Sequence, residues 1–501
     1  MIRVLLIISL ISFPIYAAEG INFITIDNLI EGLNLEKAAQ MIDKLEDTPE
    51  KILYLRGKLA FFMGDYESAN KFLSGLSEKD YLVRCAINAY NLTRNYKRYE
   101  TEHFIILYPD ERDEIYLEYL GAGLEEGLRT LSPIFGFRLE RKIRVEILQD
   151  QFDLEKLTTL PKEAIEKTNT IAVTKFNKIM LSSPETQLEG YDYVNTAIHE
   201  LIHFMISTLT NERTPVWIHE SLARYFDHYS NKRLPDLRPD ALALLKKRYE
   251  KRNLITFQQI HPSMALLPSQ EDTAVAFSEV FLVSEFLLKR LGEGFVKELL
   301  KMLKEHNDMD EIFSHFGFGS FSAFEKEFFK YMGKRLEKIT TTEHLYYDRT
   351  IKKGKRSEYL GDAVAMKYVK LGDLLFLEKL FYAAFIEYDK ASKYGVLNPH
   401  IENRKAFALL NAGKFNEAVS VLEKIQEIYP DYYSTFVNLA RANISLKNYS
   451  KAIDALERAV RINPFDKELY LMYQKIFTER KNQFELDKTK RKLEILQKRH
   501  N

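Results

Sequence analysis

A repeat with a period of 34 residues, near the C-terminal end, restricts the fold of this chain more than any other feature. Three segments align at this offset: LGDLLFLEKLFYAAFIEYDKA, KAFALLNAGKFNEAVSVLEKI and LARANISLKNYSKAIDALERA. A small, an aromatic and a second small residue recur at matching places: Gly372, Ala406 and Ala440; Phe381, Phe415 and Tyr449; Ala384, Ala418 and Ala452. Small residues let two antiparallel helices approach closely, and the aromatic side chain fills the space between them. The period therefore predicts stacked helical hairpins.

The repeat resembles the tetratricopeptide repeat, which implies that it binds a protein partner. Pro430 and Pro464 obey the offset, whereas Pro399 lies three residues later than the period predicts. A weaker copy, LRGKLAFFMGDYESANKFL, predicts one or two similar hairpins within residues 28–98. An irregular helical domain is the alternative there.

Length and composition limit the classes of protein. A chain of 501 residues with a hydrophobic fraction of 46% has enough apolar residues for two or three domains. Lysine plus arginine and aspartate plus glutamate balance at 72 each, so we expect neither a nucleic-acid partner nor attraction to an anionic membrane. Cys85 is the single cysteine and cannot form an internal disulfide; its apolar helical surroundings predict a core residue.

The N-terminal segment MIRVLLIISLISFPIYAAEG predicts a signal peptide over residues 1–18. Its apolar run is short for a membrane span, and Ala17 and Ala18 offer a cleavage site. An uncleaved anchor is the alternative, because bulky Ile15 or Tyr16 would lie three residues before the cut. Export without disulfides indicates a bacterial periplasm, with no stable membrane span after cleavage.

Between the helical regions, the pattern predicts an α+β domain at 100–345. TEHFIILY and RKIRVEIL have the pattern of strands, NTIAVTKFNKIMLSS that of two strands turning at Asn177 and Lys178, and the sequence from about Tyr193 onward is helical in period. We therefore expect a helical region at 19–99, this α+β domain, and C-terminal repeats with a terminal charged helix at 346–501. YYDRTIKKGKRSEYLGD is expected to be a solvated linker.

The segment AIHELIHFMI predicts a metal-binding helix. His199 and His203 are four residues apart, so their side chains project from the same helical face and can bind one ion. Glu200 then lies beside the metal, where it can take a proton from water. A random chain of this length and composition contains the spacing about 2% of the time, so a third ligand is needed to support the prediction.

TPVWIHESLARYF supplies the candidate third ligand, Glu220. Thr214 and Pro215 begin a helix well. Because sixteen residues separate His203 from Glu220, the first helix can end and a second can run back. Two histidines and one carboxylate form a zinc-binding set that leaves a fourth position open.

The two motifs together resemble the gluzincin metallopeptidases, the clan that contains thermolysin and the aminopeptidase N group. YETEHFIILY and KIRVEIL resemble in particular the bacterial peptidase-MA-like domain, which often accompanies tetratricopeptide repeats; the resemblance covers Tyr99 to about Leu336. It implies a thermolysin-like domain, one Zn²⁺ held by His199, His203 and Glu220, and Glu200 as general base. It further implies that Asp227 hydrogen-bonds a ligand histidine, and that the strand TIAVTKF pairs with an extended peptide.

Two positions depart from this family. Ser221 replaces a usual glycine, and Phe277 stands where relatives tend to carry a tyrosine whose hydroxyl stabilises the oxyanion. Four tyrosines are candidates to replace that hydroxyl: Tyr191, Tyr193, Tyr225 and Tyr229. His219 and His228 suggest a second metal, but the packing of an ordinary histidine explains His219 better, because it points about 100° away from Glu220 on the helix. Trp217 is expected to anchor the core.

These observations predict a secreted, periplasmic zinc metallopeptidase that hydrolyses peptide bonds, with repeats that bind a protein partner or present a polypeptide substrate. The alternative is a catalytically weak or inactive zinc-binding scaffold whose repeats mediate protein assembly, which Phe277 favours. Overall, the chain is expected to be predominantly helical.

Overall fold

The computed structural model describes residues 22–77, 80–187, 189–229, 236–261, 263–339, 363–394 and 397–498. The predicted signal peptide and the predicted charged linker lie outside these residues. The chain forms two compact units, of which one ends at Tyr90 and the other begins at Asn91. No helix among the described residues is long and apolar enough to span a membrane.

Helical hairpins form the first unit. Its helices are α1 (Phe23–Glu31), α2 (Leu35–Ile42), α3 (Pro49–Met63), α4 (Tyr66–Leu73) and α5 (Tyr81–Thr93), the last of which continues past Tyr90. A Cβ atom on Gly57 of α3 would lie 2.3 Å from Cγ of Leu73 on α4. Glycine at this position therefore permits the close approach of the two helices.

A five-stranded mixed sheet organises the start of the second unit. Its strands are β1 (Lys97–Glu100), β2 (Phe104–Tyr108), β3 (Ile143–Leu148), β4 (Ala172–Lys175) and β5 (Lys178–Ser182), in the spatial order β1-β2-β3-β5-β4. The pairs β2–β3 and β3–β5 are parallel, and the two outer pairs are antiparallel. Strand β4 is therefore one edge of the sheet.

The predicted strands are present, with two local differences. Strand β1 was not predicted, since Lys97–Glu100 is an exposed edge strand without an apolar alternation. The β4–β5 turn is at Phe176 and Asn177, with φ of 52° and 61°, one residue earlier than predicted. Two successive residues with positive φ match the right-handed twist of a two-residue hairpin. Lys178 consequently belongs to β5 and is buried.

Helices cover the sheet and surround the candidate site. They are α6 (Glu114–Phe135), α7 (Asp153–Leu157), α8 (Lys162–Thr168), α9 (Tyr193–Thr210), α10 (Val216–Phe226), α11 (Pro239–Glu250), α12 (Phe257–Ile260), α13 (Gln270–Leu291), α14 (Phe295–Glu305), α15 (Met309–His315) and α16 (Phe321–Glu337). Helix α6 joins the parallel strands β2 and β3 and packs against α9. A Cβ on Gly123 of α6 would lie 2.3 Å from Val194 of α9, so glycine sets this helix spacing.

The C-terminal repeats are four helical hairpins in the described residues. Their helices are α17 (Ala363–Leu377), α18 (Phe381–Ser392), α19 (Pro399–Asn411), α20 (Phe415–Ile428), α21 (Tyr433–Ser445), α22 (Tyr449–Val460), α23 (Lys467–Glu479) and α24 (Gln483–Gln497). Helices α19, α21 and α23 begin 34 residues apart, as do α20, α22 and α24. Pro399 opens its helix, whereas Pro430 and Pro464 lie three residues before theirs, so the helix starts follow the period and the irregular proline does not disturb it.

The last repeats pack against the α+β domain. The Tyr191 N–H donates to the Ile462 carbonyl over 2.9 Å, and a Cβ on Gly190 would lie 2.1 Å from that oxygen. Phe465 packs edge-on against Tyr116, with ring centroids 5.8 Å apart. One hydrophobic core includes residues of both regions. Tertiary packing, to which a sequence period gives no clue, therefore joins the last repeats to the α+β domain.

Candidate metal centre

Helix α9 carries the first half of the site. The Asp192 carboxylate accepts the Asn195 N–H at its start, and Asn211 ends it with φ of 53°. The predicted apolar stripe is buried: Val194, Ala197, Ile198, Leu201, Ile202 and Met205. Because this stripe faces the core, His199 and His203 lie at the half-buried edge, next to an open cleft.

The two histidines and Glu200 come together as predicted. The Nε2 atoms of His199 and His203 are 3.1 Å apart. One donor atom from each of His199, Glu200 and His203 lies within 4.8 Å of the others. Glu200 is only 7% exposed, and its carbonyl accepts a hydrogen bond from Thr174 of β4 over 2.8 Å. The proposed base is therefore next to the histidines and beside the edge strand.

Glu220 on α10 lies beside both histidines, as the predicted ligand set requires. Its Oε2 atom is 3.5 Å from His199 Nε2, and its Oε1 atom is 3.7 Å from His203 Nε2. Tetrahedral zinc with bonds of about 2.0–2.1 Å places its ligand atoms roughly 3.3 Å apart. Glu220 Oε2 is buried and has no hydrogen-bond donor among the described residues. Buried carboxylate oxygens are costly without a partner, so the residues present fit a zinc ion.

Asp227 occupies the place that the family resemblance implies. It is 2% exposed, and its Oδ2 lies 3.2 Å from His199 Nδ1. Once Nε2 has lost its proton, donation from Nδ1–H to this carboxylate directs the Nε2 lone pair at the ligand cluster. Asp227 also contacts His228 Nδ1. The aspartate thus fixes both the tautomer and the orientation of His199.

His219 contacts His203, which was not predicted. Its Nδ1 lies 3.3 Å from His203 Nδ1 and can accept a hydrogen bond from the proton on that atom. With its proton on Nδ1, His203 would have Nε2 available to bind an ion. Burial lowers the pKa of His219 to about 3, so the ring is neutral and able to accept. Helix α10 packs against α9 and brings both His219 and Glu220 to the site. The sequence signal for this contact was a third histidine close to the two-histidine motif.

The charges of the ligand set suit metal binding. Burial acts to raise the pKa of Glu220, but the charges of His203, His199 and Arg224 outweigh it and lower this pKa to about 2. Burial also acts to lower the pKa of His199, yet the hydrogen bond to Asp227 and the nearby carboxylate of Glu220 raise it to about 9. Glu220 is therefore an anion at neutral pH, whereas His199 must release a proton when an ion binds.

A cleft of about 2630 Å³ opens at the site. Its lining includes strand β4, the ligand residues, Phe277 of α13 and the loop between α20 and α21. The repeat residues in the lining are Gln426, Glu427, Ile428, Pro430, Asp431, Tyr432, Tyr433, Arg458 and Ile462. The repeats therefore form part of the cleft wall.

Among the described residues, none of the alternative tyrosines presents an unpaired hydroxyl to the cleft. Tyr191 lines the cleft, but its hydroxyl donates to the Ser182 carbonyl. Tyr193 is buried against Tyr116, with ring centroids 5.0 Å apart. Tyr225 and Tyr229 pack in an aromatic cluster and are outside the cleft lining in the described part of the chain.

Two other predicted features are structural. Trp217 is buried and stacks on Phe257 at 4.3 Å, so it anchors α10 to the core, as predicted. Ser221 and Ser284 share a buried hydroxyl–hydroxyl hydrogen bond of 2.7 Å. The side chain that replaces the usual glycine therefore has a polar partner on α13.

Comparisons with known proteins concern the repeats. The family model for the tetratricopeptide repeat matches residues 409–476. The "Tetratricopeptide repeat protein 1" of Schizosaccharomyces pombe is 31% identical over 80 residues, which are 16% of this chain and 8% of that protein. This chain therefore spans a small part of that relative.

A solved structure, "Crystal structure of APC/C hetero-tetramer Cut9-Hcn1", aligns over 95% of this chain and 80% of that chain at 11% identity. Its TM-score of 0.25 is too low to establish a common fold. The family model and the repeat spacing confirm that the chain contains tetratricopeptide repeats, which suggest protein partners. The matched range does not include His199, His203 or Glu220, so the gluzincin interpretation stays a prediction.

Proposed function

We propose that this chain is a zinc-dependent peptidase that hydrolyses polypeptides bound in the repeat-walled cleft. The observation that supports it most is the convergence of His199, His203 and a buried, unpartnered Glu220 oxygen on one point beside Glu200. These three ligands would hold one zinc ion. Bound zinc supplies Lewis-acid activation of a water molecule and of the substrate carbonyl.

Glu200 moves the proton in this proposal. Its carboxylate accepts a proton from the attacking water and later donates it to the leaving amine nitrogen. The Asp227–His199 hydrogen bond holds the ligand ring in place during both transfers. In this proposal, three residues bind the ion, Asp227 orients one of them and Glu200 transfers the proton.

The edge strand supports a polypeptide as the substrate. Strand β4 pairs on one side with β5 and lines the cleft on the other, beside Glu200. An extended peptide that adds to this edge would be bound through main-chain hydrogen bonds, so cleavage would tolerate many sequences. The repeats in the wall would contact the same polypeptide.

Glu200→Gln tests the peptidase directly. Because the variant keeps its shape and loses the base, we expect full zinc content by elemental analysis and a fall of about 10²–10⁴-fold in cleavage of a broad peptide library. Glu189→Gln, which removes an exposed carboxylate from the same cleft lining, is the matched control. Wild-type cleavage by Glu200→Gln would refute the role of Glu200.

A second proposal is a zinc-stabilised scaffold that assembles proteins through its repeats. The comparisons support this function better, since the family model and the relative both concern tetratricopeptide repeats. Phe277, which has no hydroxyl, favours it as well. Full zinc occupancy in the wild type, without cleavage of any member of the peptide library, would support the scaffold and contradict the peptidase.

We also propose that the protein acts in the bacterial periplasm. The support is the sequence of residues 1–18 together with the single cysteine. Fractionation of cells that express the whole chain should recover it with periplasmic markers, and recovery with cytoplasmic markers would contradict the proposal.

A further inference from the structure

Arg224 occupies a position at which a cation could act on the substrate. It lies four residues after Glu220 on α10, so both side chains project from the same face of the helix. Arg224 is exposed and belongs to the cleft lining together with His199, Glu200 and Glu220. Its charge is one of those that act on the Glu220 carboxylate.

Phe277 supports the Arg224 side chain. The guanidinium carbon lies 4.3 Å from the centroid of the Phe277 ring, which is a cation–π contact. The ring is half-buried and packs on the core, and the Ser221–Ser284 hydrogen bond ties α10 to α13 nearby. The arginine is thus positioned by contact with a ring that cannot itself donate a hydrogen bond.

The guanidinium keeps its donors available. Among the described residues, Arg224 has no hydrogen-bond acceptor and no ion-pair partner, whereas Arg248 pairs with both Glu271 and Asp272. Arginine carries five N–H donors in a planar fork and stays charged at all ordinary pH values. An exposed cation with unused donors in this cleft can bind a negatively charged oxygen.

We propose that Arg224 donates hydrogen bonds to the substrate carbonyl oxygen as that oxygen becomes negative. This inference rests on the proposed peptidase function. Water oxygen bonds to the carbonyl carbon, the electron pair of the C=O π bond moves to oxygen, and the proton of water goes to Glu200. When the electron pair returns, the C–N bond breaks and the proton moves from Glu200 to nitrogen. Arg224 stabilises the charge between these two events.

The test uses the zinc-loaded full chain and an N-phosphoryl leucyl-phenylalanine probe, whose phosphoryl group is tetrahedral and anionic. We expect Arg224→Gln to weaken calorimetrically measured binding of this probe about 100-fold, and Arg224→Lys about 10-fold. Lys338→Gln, which removes another exposed cation from the cleft lining, should change it less than about twofold. On peptide substrates, Arg224→Gln should lower kcat by about 10²-fold with a nearly unchanged KM.

The outcomes separate this inference from the proposed function. Equal probe affinity in the wild type and Arg224→Gln, at equal zinc content, overturns the role of Arg224, as does failure of the wild type to bind the probe. Binding that depends on Arg224, in a wild type that cleaves no peptide, supports the anion site and contradicts the peptidase. Cleavage that depends on Glu200 but not on Arg224 supports the peptidase and overturns this inference.

Discussion

The repeats and the metal centre are encoded in different ways. In the repeats, many positions carry the same information, so Pro399 can lie three residues out of step while α19, α21 and α23 still begin at equal intervals. At the proposed metal centre, each residue would have its own chemical role: His199 would bind the ion, Glu200 would accept a proton and Asp227 would orient a ligand. The repeats should therefore tolerate single changes that the metal centre does not.

The largest expected effect concerns the contact that joins the two regions. In Gly190→Ala, the added Cβ meets the Ile462 carbonyl oxygen at 2.1 Å, on a backbone with φ of +71°. We expect a loss of about 3 kcal/mol or more in the free energy of unfolding, measured by chemical denaturation, because backbone atoms cannot move aside cheaply. Gly413→Ala, also at positive φ but with open space around it, should cost only about 1–2 kcal/mol. Equal losses would show that the two regions are not mechanically joined at this point.

A smaller effect is expected at the residues that orient the ligands. Asp227→Asn and His219→Gln should each lower zinc affinity about 10–100-fold, because each removes a hydrogen-bond partner of a ligand histidine. Competition with a zinc-binding dye would measure this. His261→Gln, at an exposed residue, should leave the affinity unchanged. If His219→Gln bound zinc with wild-type affinity, His219 would have only a packing role.

The smallest expected effect is a pH dependence of stability that arises from the α+β domain. Burial raises the pKa of Glu279 to about 8, against an opposing hydrogen bond from the Ile255 N–H. Since the folded pKa lies above the unfolded value, the folded chain keeps a proton that the unfolded chain releases, and stability falls as the pH rises from about 4.5 to 8. Glu279→Gln should remove this fall, with a gain on the order of 2 kcal/mol at pH 8.

A buried glutamate of the repeats provides the control for this pH effect. Glu402 pairs with Lys405 over 3.6 Å, and Glu402→Gln should destabilise the protein because it removes one partner of this ion pair. Stability would be followed by chemical denaturation at several pH values. Equal pH profiles in the wild type and Glu279→Gln would contradict the assignment.

Local patterns predicted much of this molecule. The helix of His199, the strands β2 to β5 and the repeats follow from hydrophobic periodicity, which depends on neighbours in sequence. The His219–His203 contact, the Arg224–Phe277 contact and the docking at Ile462 depend on how helices cross. Such angles arise from side-chain packing across long sequence distances, so spacing alone could not reveal them.

The Tyr191–Ile462 hydrogen bond joins two residues that are 271 positions apart in the chain. Contacts this distant form late, because the intervening chain must be ordered before they can contribute. During synthesis, the helices that carry His199 and Glu220 leave the ribosome well before the residues of the last repeats. The nascent chain therefore contains His199 and Glu220 before its cleft has a complete wall, and the finished cleft depends on repeats that are made later.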